Sequence, residues 1–336
     1  MKVAVFSCKP YDKRTLDEAS ETASDIELVY FESRLSLETV SLAKGYDAIS
    51  CFVNDDLSRP VIEQLANYGI KAIAMRCAGY NNVDLYCAKG LSIPVFHVPD
   101  YSPTSVAEHA VALIMALNRK THRAYHRVKE GNFALEGLMG FNLEGKTVGC
   151  IGTGRIGEAF CRIMNGFGCK VLCYDLFENE RLLALGAEYV DLETLYAESD
   201  IISLHCPLNA STHHLINKTS IHKMKDGVMI INTSRGALVN AQEAIDGLYS
   251  GKIGYLGLDV YEQEGKIFFE DMSSHIIYDS VFQLLLTFPN VVVTGHQGYF
   301  TDIALRHIAD TTLANLEQLS KDPATYRREL TAKNQY

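Results

Sequence analysis

Residues 146–157 read Lys146-Thr-Val-Gly-Cys-Ile-Gly152-Thr-Gly154-Arg-Ile-Gly157, and a second apolar segment, Lys170-Val-Leu-Cys-Tyr-Asp175, ends 18 residues after Gly157. The first segment is a strand that runs into G-x-G-x-x-G and then into a helical pattern. Glycines in those places let the backbone approach a pyrophosphate at a helix N-terminus, where free N–H groups and the helix dipole favour negative charge. Lys170–Tyr174 reads as the next strand. A carboxylate at its end is placed to accept hydrogen bonds from the ribose hydroxyls of adenosine and to repel a 2′-phosphate. Gly152, Gly154, Gly157 and Asp175 therefore point to NAD over NADP. A glycine turn that only packs a helix on a sheet is the alternative, and strand, helix and acid together argue against it.

The fingerprint begins about 150 residues into a chain of 336, longer than one core usually supports, so a domain is expected to precede it. Upstream, the apolar runs 2–7, 48–53, 71–75 and 93–98 alternate with amphipathic stretches, which predicts a parallel α/β unit. Ser102-Pro103 then reads as an N-cap and first helical residue, opening a long helix from Thr104 towards Val128. Downstream strands are expected at 171–174, 200–205, 227–232, 254–259 and 290–294, each ending in a polar or glycine-rich turn. A last helix from Thr301 to about Leu319 lies beyond the final strand and reads as returning to the first domain. The expected organisation is a discontinuous substrate-binding domain, 1–101 plus 297–336, and an NAD-binding domain, 102–296. Both are expected to be doubly wound parallel α/β sheets, Rossmann-like or flavodoxin-like, with a cleft between them.

The net charge of −10 is spread without a basic block, which argues against nucleic acid and acidic membranes as partners. An anionic substrate would then need specific arginines. The longest strongly apolar run, Ala110–Leu117, falls far short of a membrane span, and Met1–Ser7 reads as a strand instead of a signal peptide. Nine cysteines, with no C-x-x-C pair, fit buried free thiols. A cytoplasmic location is the expectation. His122 and His126 stand four apart on a helix, but no third ligand accompanies them, so a solvated face is expected and no metal.

Three strand-end segments carry unusual polar residues: Asn232-Thr-Ser-Arg235-Gly236, Gly257-Leu-Asp259-Val-Tyr-Glu-Gln-Glu264 and Thr294-Gly-His296-Gln-Gly-Tyr-Phe300. Adjacent strands of one sheet present their carboxyl ends together, so Arg235, Glu264 and His296 can meet. An arginine fork holds a carboxylate, a histidine exchanges a carbinol proton, and a carboxylate orients that histidine and stabilises its cationic form. Taken singly, Arg235 and Glu264 would read as surface charges. His205, at a strand end, reads either as a nicotinamide-side contact or as a hydrogen-bonded structural histidine. Tyr299-Phe300 read as core aromatics or, directly after His296, as pocket lining.

With these segments the chain resembles the D-isomer-specific 2-hydroxyacid dehydrogenase family over nearly its whole length, and most closely its fermentative D-lactate dehydrogenase branch. The motifs are Phe52-Val-Asn-Asp-Asp56, Arg76-Cys-Ala-Gly79-Tyr-Asn-Asn-Val-Asp84, Val106-Ala-Glu-His109, His205-Cys-Pro-Leu208, Asn232-Thr-Ser-Arg-Gly-Ala237 and Phe268-Phe-Glu-Asp271. The resemblance implies NADH-dependent, reversible reduction of pyruvate to D-lactate, with Arg235 as substrate anchor, His296 as acid/base and Glu264 paired with His296. It places the backbone of Ala78 and Gly79 on the substrate carboxylate and Phe52, Tyr101 and Phe300 around its side chain. Val106, Arg155, Ile156, Asp175, Pro207, Thr212, Thr233, Ser234 and Asp259 would line the NAD site, and a homodimer or tetramer is implied. Gly265 and Gln297-Gly298 depart from the commonest family pattern, which bears on loop rigidity and pocket shape alone. A dehydrogenase for bulkier 2-oxo acids is the alternative within the class. A dinucleotide-sensing binding protein is the alternative outside it, and the compact chain lacks the long extensions such proteins use.

Overall fold

In the computed structural model, residues 1–21, 25–321 and 330 are described. Five parallel strands, β1 (Lys2–Val5), β2 (Glu27–Tyr30), β3 (Ala48–Cys51), β4 (Ala72–Met75) and β5 (Val95–Phe96), form one sheet in the order β2-β1-β3-β4-β5. That is the flavodoxin-like order. Every residue of β3 and β4 is buried, as expected of strands covered on both faces, which read as unbroken apolar runs. β2 escapes such reading because it is an edge strand with no fully buried residue.

One face of this sheet packs Val3, Val5, Ala48, Ala72, Ala74 and Phe96 against Leu16 of the helix Pro10–Ser20 and against Ala309, Leu313 and Leu316 of the helix Asp302–Lys321. The chain therefore divides into one compact unit of Met1–Ser102 with the residues from Phe300 onward, and a second of Pro103–Tyr299. Gln297, Gly298 and Tyr299, expected with the first unit, belong to the second, where the backbone N–H groups of Gln297 and Gly298 donate to Asp259 at 2.9 and 2.8 Å, and Ser102, expected with the second, belongs to the first.

The second unit holds seven parallel strands: β6 (Thr147–Ile151), β7 (Lys170–Tyr174), β8 (Glu188–Tyr189), β9 (Ile201–Leu204), β10 (Val228–Asn232), β11 (Ile253–Leu258) and β12 (Val291–Val293). Their order, β12-β11-β10-β9-β6-β7-β8, reverses direction between β6 and β9, the Rossmann arrangement. The period-two alternation of strands sorts β10 between two cores. Val228 and Ile230 join one with Leu238, Ile245 and Leu285, while Met229 and Ile231 join the other with Leu113, Leu117 and Phe160. A Cβ on Gly149 would stand 2.4 Å from Ser199 Oγ and 2.6 Å from Leu195, so the helix Leu192–Glu198 lies against bare backbone there.

The single helix expected from Thr104 to Val128 is two helices, Pro103–Arg119 and Thr121–Lys129, separated by Lys120 in the left-handed region at φ +49°. The cause is tertiary. Buried Asn118 donates to Phe141 O and accepts from Phe141 N, and Lys120 Nζ reaches Met139 O, so the 139–141 segment docks where the helix turns. All nine cysteines are free and buried. No helix among the described residues is long and apolar enough to cross a membrane.

Candidate functional site

At the carboxyl end of β6 the chain turns on Gly152, whose φ of +96° suits glycine. A Cβ there would lie 2.4 Å from Cys206 N and 2.5 Å from His205 C. A Cβ on Gly157 would meet Gly152 O at 2.0 Å. Both glycines are thus required by the protein itself. Gly154 differs: it is the N-cap of the helix Arg155–Gly166, no side chain caps that helix, and a Cβ on Gly154 would meet nothing within 4 Å. Arg155 is exposed, and Ile156 is half-buried against the core.

Asp175, just past β7, closes over this turn. Its Oδ2 accepts from Thr153 N (2.6 Å) and Thr153 Oγ1 (3.1 Å), and its Oδ1 from Leu176 N (2.6 Å). A carboxylate oxygen accepts about two bonds, so Oδ1 retains capacity for a ribose hydroxyl. Across the strand-order reversal, Ser234 Oγ donates to Cys206 O, and Thr212 Oγ1 donates to Pro207 O while accepting from Asn209 N. Thr212 thus closes its own loop. Thr233 Oγ1 is buried without a partner among the described residues, and Val106 is buried in the helix Pro103–Arg119. His205 Nε2 lies 2.9 Å from Ser203 Oγ, and its ring packs on Phe160 with centroids 4.8 Å apart. Burial pushes its pKa down to about 3, so the ring is neutral and of the two readings the geometry favours the structural one.

Asp259, expected against the cofactor, is a hub for the next turn. Its Oδ1 accepts from Thr294 Oγ1 (2.6 Å) and Gln297 N (2.9 Å), its Oδ2 from Gly298 N (2.8 Å), and His109 Nε2 lies 3.2 Å from Oδ1. Burial pushes this carboxyl up, but bonds from His109, Thr294 and Gln297 outweigh burial and hold it below its ordinary value. A Cβ on Gly298 would stand 3.0 Å from Asp259 Oδ2, which accounts for glycine there, whereas Gly265 faces open space. The hub fixes the turn that carries His296, which adopts φ +54° with its N–H donated to Asp259 O at 2.7 Å.

His296 Nδ1 lies 2.7 Å from Glu264 Oε1, both side chains being under one-fifth exposed, and Glu264 Oε2 accepts from Tyr261 N at 2.8 Å. The carboxylate can only accept, so the network assigns the proton to Nδ1 and leaves Nε2 without a partner among the described residues. Arg235 is half-buried. Its Nη1 donates to Ser234 O at 2.7 Å, and among the described residues no carboxylate pairs with it. The two segments touch through backbone: a Cβ on Gly236 would lie 2.1 Å from Tyr261 C and 2.3 Å from Glu262 N. Arg235, Glu264 and His296 therefore stand on three strand-end turns in mutual contact or hydrogen bonding. Asn232, which shapes the arginine turn by donating to Arg235 O and accepting from Ser234 N, was missed in the sequence, as were His109 and Thr294. The signal for His109 was its place beside Glu108 as one of few polar residues in the largely apolar 105–114 stretch.

In the first unit, Phe52 follows β3 and Ala78-Gly79 follow β4, on the carboxyl edge of its sheet. Phe52 is buried and its N–H donates to Asp55 Oδ2. The carbonyls of Ala78 and Gly79 are engaged by His97 Nδ1 and Cys77 Sγ, while their N–H groups meet no protein acceptor among the described residues. Tyr101 O lies 2.6 Å from His307 Nδ1, and Phe300, 47% exposed, packs its ring edge-on to Tyr11.

The family description "D-isomer specific 2-hydroxyacid dehydrogenase, NAD binding domain" matches residues 111–298. D-lactate dehydrogenase of Escherichia coli strain K12 is 52% identical over 321 residues, 96% of this chain and 97% of the relative. The chain belongs to the D-isomer specific 2-hydroxyacid dehydrogenase family. Among solved structures, the apo-structure of the Escherichia coli D-lactate dehydrogenase aligns with a TM-score of 0.89 at 50% identity, covering 98% of this chain and 100% of that one. A structure described as identifying the pyruvate reductase of Chlamydomonas reinhardtii aligns with a TM-score of 0.90 at 45% identity, covering 97% and 98%.

This 2-hydroxyacid dehydrogenase is an NAD-dependent oxidoreductase, and its residues fit NAD. Gly154 leaves open the space at an uncapped helix N-terminus where a pyrophosphate binds, and Asp175 retains an acceptor for ribose. The Thr233 hydroxyl, without a partner among the described residues, would gain one from a polar ligand that covered it, which would remove a penalty of about 1–3 kcal/mol.

Proposed function

We propose that this dehydrogenase reversibly reduces pyruvate to D-lactate. The observation that carries the reading is the half-buried Arg235, free of any carboxylate partner among the described residues, on a turn packed against the segment that bears the Glu264–His296 pair. Bound NADH supplies the hydride. Arg235 takes the substrate carboxylate through its remaining guanidinium N–H groups, a charge-assisted fork that fixes the 2-oxo carbon. Glu264 holds Nδ1–H, so Nε2 is the nitrogen that delivers a proton to the carbonyl oxygen in reduction and removes it from the hydroxyl in oxidation. In the first unit, Ala78 and Gly79 offer amides to a carboxylate, and Phe52, Tyr101 and Phe300 offer ring surface to a small side chain.

A cytoplasmic location belongs to the same reading, supported by nine free thiols. So does a homo-oligomer, supported by the strongly exposed Phe133, Leu135 and Met139 on one segment. The test is a panel of 2-oxo acids with NADH and with NADPH, followed by chiral analysis of the product. Pyruvate with NADH is expected to be turned over fastest and to give D-lactate. The alternative is a dehydrogenase for a bulkier 2-oxo acid, and faster reduction of 2-oxoisocaproate than of pyruvate would decide for it.

A further inference from the structure

We propose that His213, His214 and Glu262 form a binding site for a divalent cation of the zinc class, beside the turns that carry the candidate active site. One ligand atom from each of these residues lies within 4.8 Å of the other two, and they are the one such His/Cys/Asp/Glu group found among the described residues. His214 Nε2 is already 2.9 Å from Glu262 Oε1, and the His213 and His214 rings lie 3.9 Å apart between centroids. Zinc ligands at about 2.0–2.1 Å in tetrahedral array stand about 3.4 Å from one another. One donor pair stands at 2.9 Å and no pair exceeds 4.8 Å, so side-chain rotation alone can close them on an ion.

The backbone beneath the donors is fixed. His214 sits at φ +50°, its N–H donates to Ala237 O at 2.8 Å, and its carbonyl accepts from Asn217 Nδ2 at 2.9 Å. The Tyr261–Glu262 backbone in turn lies against Gly236. Two imidazoles and one carboxylate suit zinc and its neighbours, whereas magnesium and calcium prefer all-oxygen shells. Such a set leaves a fourth position open to water. Thr212, which closes the 207–212 loop, directly precedes His213, and Glu262 lies two residues before Glu264. A bound ion would therefore tie the loop after β9 to the segment that holds His296.

The ion pair of His214 with Glu262 alone would explain two of the three residues, so the test turns on His213, which is exposed and replaceable without disturbing the core. The full chain, stripped of metal and without cofactor or substrate, is titrated with zinc chloride by calorimetry. One zinc per chain is expected, with affinity at least about tenfold weaker in His213→Ala and in Glu262→Gln. Affinity is expected to be unchanged in the His122→Ala/His126→Ala double variant. Zinc should also raise the Tm of the unaltered protein more than that of His213→Ala, because a ligand of the folded state stabilises in proportion to its affinity. Unchanged zinc affinity in His213→Ala, or no saturable uptake by the unaltered chain, overturns the proposal. Neither result depends on turnover, so the catalytic reading stands or falls separately.

Discussion

Two turns at the carboxyl edge of the seven-stranded sheet are built on opposite principles. The turn at 152–157 is shaped by what its residues lack, since Cβ atoms on Gly152 and Gly157 would strike backbone at 2.4 and 2.0 Å. The turn at 294–298 is shaped by what converges on it, a buried carboxylate gathering bonds from Thr294, Gln297 and Gly298 with His109 at its side. The first kind leaves an open face for a ligand. The second aims a side chain, His296, at a defined place. In the proposed reading, cofactor binding falls to the steric turn and chemistry to the polar one.

The largest expected effect tests that division on the chemical side. Arg235→Gln should lower kcat/KM for pyruvate by about 2–5 kcal/mol, the cost of removing one member of a desolvated charge pair. Its Kd for NADH, measured by fluorescence titration, should hardly change. A parallel loss of NADH affinity would blur the two roles.

Within the steric turn the glycines should separate. Gly157→Ala drives a Cβ into a backbone oxygen that cannot yield cheaply, and should cost about 3 kcal/mol in urea unfolding. Gly154→Ala adds its Cβ to open space, so folding stability should hold while NADH affinity falls at least about tenfold, 1.4 kcal/mol. Equal stability loss in both would remove the ligand-facing reading of Gly154.

Asp259→Asn breaks the polar turn. It should destabilise the fold by about 1–3 kcal/mol near neutral pH, since an amide nitrogen replaces an acceptor that buried donors need. The folded carboxyl titrates below its ordinary value, so its stabilisation is fully present above about pH 4 and is lost as pH falls through the folded value. Urea midpoints of variant and parent should therefore converge on acidification, and a gap that widens would contradict the hub.

The smallest effect concerns the cofactor carboxylate. Asp175→Ser should narrow the preference for NADH over NADPH by at least about tenfold, roughly 1.4 kcal/mol. Steady-state comparison of the two cofactors reads it directly.

The steric turn was legible in the sequence because its demands are local: three glycines, a strand before, a helix after, and an acid at the next strand end. The pairing of Glu264 with His296 was legible once their strand ends were recognised as neighbours. The hub was not, because its members lie at 109, 259, 294, 297 and 298 and only the sheet order brings them together. The same distance hid the grouping of His213 and His214 with Glu262. The break at Lys120 left no mark either, since lysine is a good helix former and the interruption comes from the docking of 139–141. β2 and β8 are edge strands, and neither contains a fully buried residue to mark it.

The helix Asp302–Lys321 is synthesised after the whole of Pro103–Tyr299, yet Ala309, Leu313 and Leu316 close the core over β1, β3 and β4. On the ribosome the first hundred residues emerge with that apolar face uncovered, while Pro103–Tyr299 follows as a contiguous stretch that already contains its own sheet. Domains generally fold in the order they appear; here the order is inverted. The nucleotide-binding half can mature during translation, and the other half is completed only once residues 302–321 have been made, so a nascent chain stalled before residue 302 would be a substrate for chaperones.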